Sequence, residues 1–235
     1  MDRIDAAVLK PQELNNQLAA LSGEIVIVNP HSMHNLCAGL KGSIDIRIEG
    51  STGLYTGSFL EGPRVTVEGN VGWYAGDDMM GGELIVKKNT GSNVGAYIND
   101  GTIVVYGSTG SRVGYGMKGG TIIVCGNAGR WAAQMSMGGN LIILGTIGPS
   151  AAESMYRGAV FVRDKEAHDK LGSNVFIDAV TAQEKDMLTA QFEKYGIKAG
   201  ADEFRVIRPA VSGRHTYTLF KPVLKVDEAR KYAVK

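Results

Sequence analysis

GELIVKKNTGSNVGAYINDGTIVVYGSTGSRVGYGMKGGTIIVCGNAGR, residues 82–130, runs through one pattern three times: a glycine, a short apolar strand-like run, a glycine turn and a small-residue corner. The pattern extends in both directions. Leading glycines stand at Gly23, Gly42, Gly62, Gly82, Gly101, Gly120, Gly139 and Gly158, spaced 19 or 20 apart. A second register runs Gly53, Gly72, Gly91, Gly110, Gly129 and Gly148 at a constant step of 19, and four positions after each stands Gly57, Gly76, Gly95, Gly114, Ala133 or Ala152. A unit this short has no room for a crossover helix and cannot bury an apolar face alone, so it has to stack on its neighbours. The expected fold is all-β: a parallel β-helix, a single-stranded solenoid of about seven to eight coils, each pairing with the coil above and below.

The side-chain pattern predicts a filled interior with three inner rows. Leu84 and Val86, Ile103 and Val105, Ile122 and Val124, Leu141 and Ile143, and Val160 and Val162 alternate as one inward face. Thr56, Ala75, Val94, Val113, Ala132 and Ala151 form a second row, and Leu60, Met79, Ile98, Met117, Ser136 and Met155 a third. The glycines are read as structural, because corners need unusual backbone angles and stacked corners bring backbone close to backbone. A phosphate-binding loop would join a strand to a helix N-terminus, whereas these loops lead into the next strand.

The outward position of the later strands is also apolar: Ile85, Val104, Ile123, Ile142 and Phe161. Such a stripe needs a cover, either the chain's own C-terminal segment or a partner subunit, and it is a possible interface. Three regions are expected: a lead-in and cap over 1–20, the solenoid over 21–164, and a tail over 165–235 with helical and extended parts. In the tail, TAQEKDMLTAQFEKY, residues 181–195, opens with a capping box and predicts one amphipathic helix. FRVIRP and HTYTLFKPVLKV read as extended segments able to pair with an exposed edge.

With 25 basic and 24 acidic residues spread over 235, the chain has no basic field for nucleic acid or an anionic membrane. No signal-peptide pattern or long apolar span occurs, so the expectation is a cytoplasmic protein. Cys37 and Cys125 lack the spacing of a metal or disulfide site and read as small apolar residues. His31 and His34, in NPHSMHN, invite a nucleophile reading with Cys37, but without an acid partner they fit an end-coil loop that meets a neighbour. Asp77 and Asp78 offer two carboxylates without a third ligand. Trp73, Tyr74, Tyr97, Tyr115 and Trp131 recur near successive corners, as packing, a ligand stack or a protein-binding ridge. The outward positions supply no carboxylate cluster of the kind a β-helix hydrolase or lyase needs. No catalytic, cofactor-binding or metal-binding residue is expected.

The repeated G-x-x-G-x-x-x-G, as GNVGWYAG, GSTGSRVG and, with Ala133 last, GNAGRWAA, resembles the GXGXG domain at the C-terminus of the glutamate synthase large subunit. The same pattern is similar to one component of formylmethanofuran dehydrogenase and of the formyltransferase/hydrolase complex. The resemblance implies a right-handed β-helix with a structural role. It would link a glutaminase-type amidotransferase to an FMN and iron–sulfur synthase, both on other polypeptides, since this chain has no N-terminal cysteine nucleophile and no cysteine cluster. As a free-standing chain it looks most like the middle component of N-methylglutamate synthase or split glutamate synthase, with a formyl-transfer complex as the alternative.

Overall fold

The computed structural model describes residues 2–210. The chain winds into a parallel β-solenoid of about eight turns. One side of the solenoid is a continuous sheet of β1 (Asp2–Asp5), β2 (Gly23–Val28), β3 (Ile44–Glu49), β4 (Arg64–Val67), β5 (Glu83–Val86), β6 (Thr102–Val105), β7 (Thr121–Val124), β8 (Met137–Ile143) and β9 (Arg157–Val162), all parallel to their neighbours. Beyond β9 come β11 (Arg205–Pro209) and then β10 (Val175–Ala179), both pairings antiparallel. Register follows the repeat: Leu84 lies beside Ile103, Ile103 beside Ile122, Ile122 beside Leu141, and Leu141 beside Val160. Like side chains thus stack on like, and the three inner rows are buried in one core. No helix among the described residues is long and apolar enough to cross a membrane.

The other two sides are built without regular strands. On the second side a polar ladder joins the coils: the backbone N–H of Asn70, Asn89, Ser108, Asn127 and Thr146 donates to the side-chain oxygen of Ser51, Asn70, Asn89, Ser108 and Asn127 in turn, at 2.8–3.1 Å. At the corner that follows, coils approach so closely that a β-carbon on Gly72 would lie 2.7 Å from the Gly53 carbonyl carbon. On the third side every second residue takes a left-handed backbone. Tyr55, Gly57 and Phe59 have φ of 59°, 68° and 55°, and Tyr74, Gly76 and Asp78 repeat this one coil on. A left-handed non-glycine residue costs about 1–2 kcal/mol. The inter-coil hydrogen bonds offset that cost: the N–H of Gly76 donates back to Thr56 at 2.9 Å, while those of Tyr74 and Asp78 donate forward to Ser92 and Ala96 at 3.0 and 2.8 Å.

Helix α1 (Pro11–Ala19) closes the first end by burying Leu14 and Leu18 on the core. Its Asn15 accepts from the Cys37 N–H at 2.8 Å and donates to the Asn35 carbonyl at 2.6 Å. Helix α2 (Ala182–Tyr195) starts at Thr181, whose hydroxyl accepts from the Glu184 N–H, and stops at left-handed Gly196. It buries Leu188, Phe192 and Tyr195 on a second core with Ile85, Val104, Ile123, Ile142, Phe161 and Val206. Each such side chain leaving water contributes about 1.5–3 kcal/mol. The cover is pinned at Glu83, which lies 2.6 Å from Lys194 and accepts from the Tyr195 hydroxyl at 2.9 Å. HTYTLFKPVLKV lies outside the described residues.

Candidate functional site

The apolar stripe at Ile85, Val104, Ile123, Ile142 and Phe161, a possible interface in the sequence, is continued by Val206 of β11, covered by α2 and the following segment through Phe204 of the same chain, and offers no open surface. His31 and His34 stand exposed in the first coil, and the Nδ1 of His34 accepts from the Leu54 N–H at 2.9 Å, so His34 pins one coil to the next. Cys37 is fully buried, and burial pushes its thiol up to about 12, which leaves no thiolate near neutral pH. Burial likewise pushes the Cys125 thiol up to about 11. The glycines Gly53, Gly72, Gly91, Gly110, Gly129 and Gly148 occupy the second corner, and Gly57, Gly76, Gly95 and Gly114 the left-handed run that follows. Among the described residues no group of three or more histidine, cysteine, aspartate or glutamate side chains could hold a metal ion.

The third side gathers what the rest of the surface lacks. Apart from Val8 and Phe176, the large apolar side chains exposed among the described residues lie on this side or its corners: Trp73 at 57%, Phe59 at 55%, Met80, Met135, Tyr55 and Tyr97. Tyr55, Phe59, Tyr97 and Met135 belong to columns at a step of 19, two and six residues after the second-register glycine, while Trp73 and Met80 lie one and eight residues after Gly72. The first column reads Tyr55, Tyr74, Asn93, Arg112 and Trp131. Tyr55 and Tyr74 stack with centroids 4.9 Å apart, and Tyr97 meets Tyr115 edge-on at 5.2 Å. Arg112 and Arg130 lie 4.4 and 4.1 Å from the Trp131 ring centroid. This is an aromatic, methionine and arginine surface of the composition that protein interfaces favour.

A pocket of about 370 Å³ opens in the middle of this side, lined by Tyr74, Asn93, Tyr97, Arg112, Tyr115 and Gln134. The Arg112 Nε donates to Gln134 Oε1 at 3.1 Å, which fixes the guanidinium plane. The hydrogen bond with Tyr115, then burial, pushes the Tyr97 hydroxyl up to about 12, so it stays a neutral donor. Burial, then the neighbouring Asp78, pushes the Asp77 carboxyl up to about 6, while Asp78 lies 3.7 Å from Lys118. A second pocket, beside Arg163, Lys165, His168 and Arg205, has its carboxylates paired within it or at its rim: Glu203 to Arg163 at 2.9 Å and Asp164 to Lys170 at 2.8 Å. The sequence alone singles out Trp73, Tyr74, Tyr97, Tyr115 and Trp131 but passes over Phe59, Arg112, Arg130, Gln134 and Met135. The step-19 columns carry the signal that could have found Arg112.

No curated protein matches the chain. The family model described as the GXGXG motif matches residues 19–203, which takes in the coils, the polar and aromatic sides and the α2 cover. The chain belongs to the GXGXG motif family.

Proposed function

We propose that this chain is a non-catalytic structural subunit of a glutamate-synthase-like complex. In this reading it links a glutaminase-type amidotransferase to an FMN and iron–sulfur synthase subunit in the cytoplasm, within N-methylglutamate synthase or a split glutamate synthase. The observation that carries the reading is the extent of the family match: residues 19–203 include almost the whole described rod and its helical cover, so the family unit coincides with the rod, which supports a structural role. The exposed aromatic side supports it, because a contiguous apolar surface of that kind marks an interaction site.

The test is to purify the tagged chain from its native cells and identify what accompanies it by absorbance and mass. A flavin and iron–sulfur absorbing partner with a glutaminase-like subunit is the expected result. Removal of this chain from the complex should uncouple glutamine hydrolysis from product formation while each partner keeps its own half-reaction. A metal-dependent amidohydrolase with a formyltransferase would move the chain to a formyl-transfer complex, and recovery of the chain alone would remove the scaffold reading.

A further inference from the structure

The aromatic side holds two arginines that meet no carboxylate among the described residues. Arg3, Arg47, Arg64, Arg163 and Arg208 each meet a carboxylate within 4.0 Å. Arg112 and Arg130 meet none among the described residues, and neither do Arg157 and Arg205; what sets Arg112 and Arg130 apart is that both are held against the Trp131 ring. Arg112 is half-buried, with its Nε on Gln134, so its remaining N–H donors face the pocket with their plane already fixed. A guanidinium in that state has lost part of its hydration and rotamer freedom before any ligand arrives. Its natural complement is a planar carboxylate taken in bidentate fashion. The nearby acids do not serve: Asp78 is drawn to Lys118, and Asp77 has its ionisation opposed by burial and by Asp78.

The surroundings define what carries that carboxylate. Tyr74, Tyr97 and Tyr115 wall the pocket. Beyond it, exposed Tyr55, Phe59, Met80 and Met135 continue the apolar surface along the coils. A small free carboxylate would fill the pocket and leave that ridge in water. We propose that the side centred on Arg112, Arg130 and Trp131 is the docking site for a protein partner that inserts an aspartate or glutamate from an acidic loop flanked by apolar side chains. The inference rests on the scaffold reading above and gives it a contact point. Paired arginines supply orientation and electrostatic attraction, and the aromatic columns exclude water around the ion pair.

The experiment uses the full chain, co-expressed with the amidotransferase and flavoenzyme subunits of its complex, and compares wild type with Arg112→Ala/Arg130→Ala and with Arg47→Ala on the sheet side. Unchanged thermal melting of the free chain shows that the variants fold. The expected result is at least a tenfold weaker assembly for the double variant, a shallower salt dependence than wild type, and no change for Arg47→Ala. Wild type that assembles while the double variant stays within twofold of it overturns this docking site and leaves the scaffold standing. Wild type that binds neither subunit overturns the scaffold reading and this occupant with it.

Two further outcomes also overturn the proposal. One is a Trp73→Phe chain whose remaining Trp131 fluorescence saturates with free L-glutamate while the double variant assembles normally, which makes the ligand a small carboxylate. The other is a wild-type homodimer in sedimentation that the double variant dissolves, which makes the occupant a second copy.

Discussion

At Gly72 the constraint is space and at Gly57 it is backbone angle, and the two can be separated by one methyl group each. A β-carbon on Gly72 would meet the Gly53 carbonyl carbon at 2.7 Å and the Leu54 nitrogen at 2.9 Å, atoms that no rotamer change can move. On Gly57 the nearest atom would be Leu84 Cδ2 at 3.4 Å, an ordinary contact, with the φ of 68° as the main cost. Gly72→Ala should therefore lower unfolding free energy by about 3 kcal/mol, and Gly57→Ala by about 1 kcal/mol. Urea unfolding with matched m-values checks this; equal losses would mean that backbone angle governs both corners. The inner rows were legible at this scale because alternation and period act together. The left-handed tyrosines were not, since nothing local in TGLYTGSF asks for positive φ at Tyr55 or Phe59. Their conformation comes from hydrogen bonds to neighbouring coils. Arg112 shows the same limit: its column is visible at a step of 19, but its place against Trp131 depends on the stack.

Helix α2 and the later strands form a second small core whose polar fastener is Glu83. Burial opposes ionisation of that carboxyl, but the bonds from Lys194 and Tyr195 and the charges of Lys194 and Arg64 outweigh it and hold it below the ordinary glutamate range. The depressed value means that Glu83 contributes stability above its unfolded value of about 4.5. The contribution is lost as pH falls through the lower folded value. Glu83→Gln should melt at a lower temperature than wild type at pH 7, and the two should converge near pH 3, as followed by circular dichroism. A gap that persists at pH 3 would assign the loss to packing instead. Element β1 is the counterpart that the sequence conceals. DRID is mostly charged and shows no apolar alternation, and it becomes a strand because β2 offers it an edge at which Asp2 pairs with Ile25 and Asp5 with Val28. The stripe from Ile85 to Phe161 was legible as needing a cover, and only the packed helix decided between self and partner.

In the whole molecule, contacts run mainly from coil to coil, so stability should behave as a sum over neighbours. Removing Gly62–Gly81 joins Glu61 to Gly82 and preserves the repeat, as does removing Gly101–Gly119, which joins Asp100 to Gly120. The first deletion spares every apolar residue of the second core and takes from α2's seat only Arg64, 3.5 Å from Glu83. The second removes Val104 from the second core and Tyr106, whose hydroxyl donates to the Tyr195 carbonyl at 2.5 Å. Both shortened chains should fold, with the second melting roughly 6–12 °C below the first. Equal melting temperatures would show that α2 does not depend on the coils it rests on.

The reversal of strand direction at β11 has a further consequence. A stack of identical parallel coils ends in an edge on which another copy's first coil fits as well as the molecule's own next one. With β11 antiparallel to β9, and β10 antiparallel to β11, that template is gone. The molecule carries its own stop signal against growing into a fibre, and a concentrated solution should hold particles of fixed length.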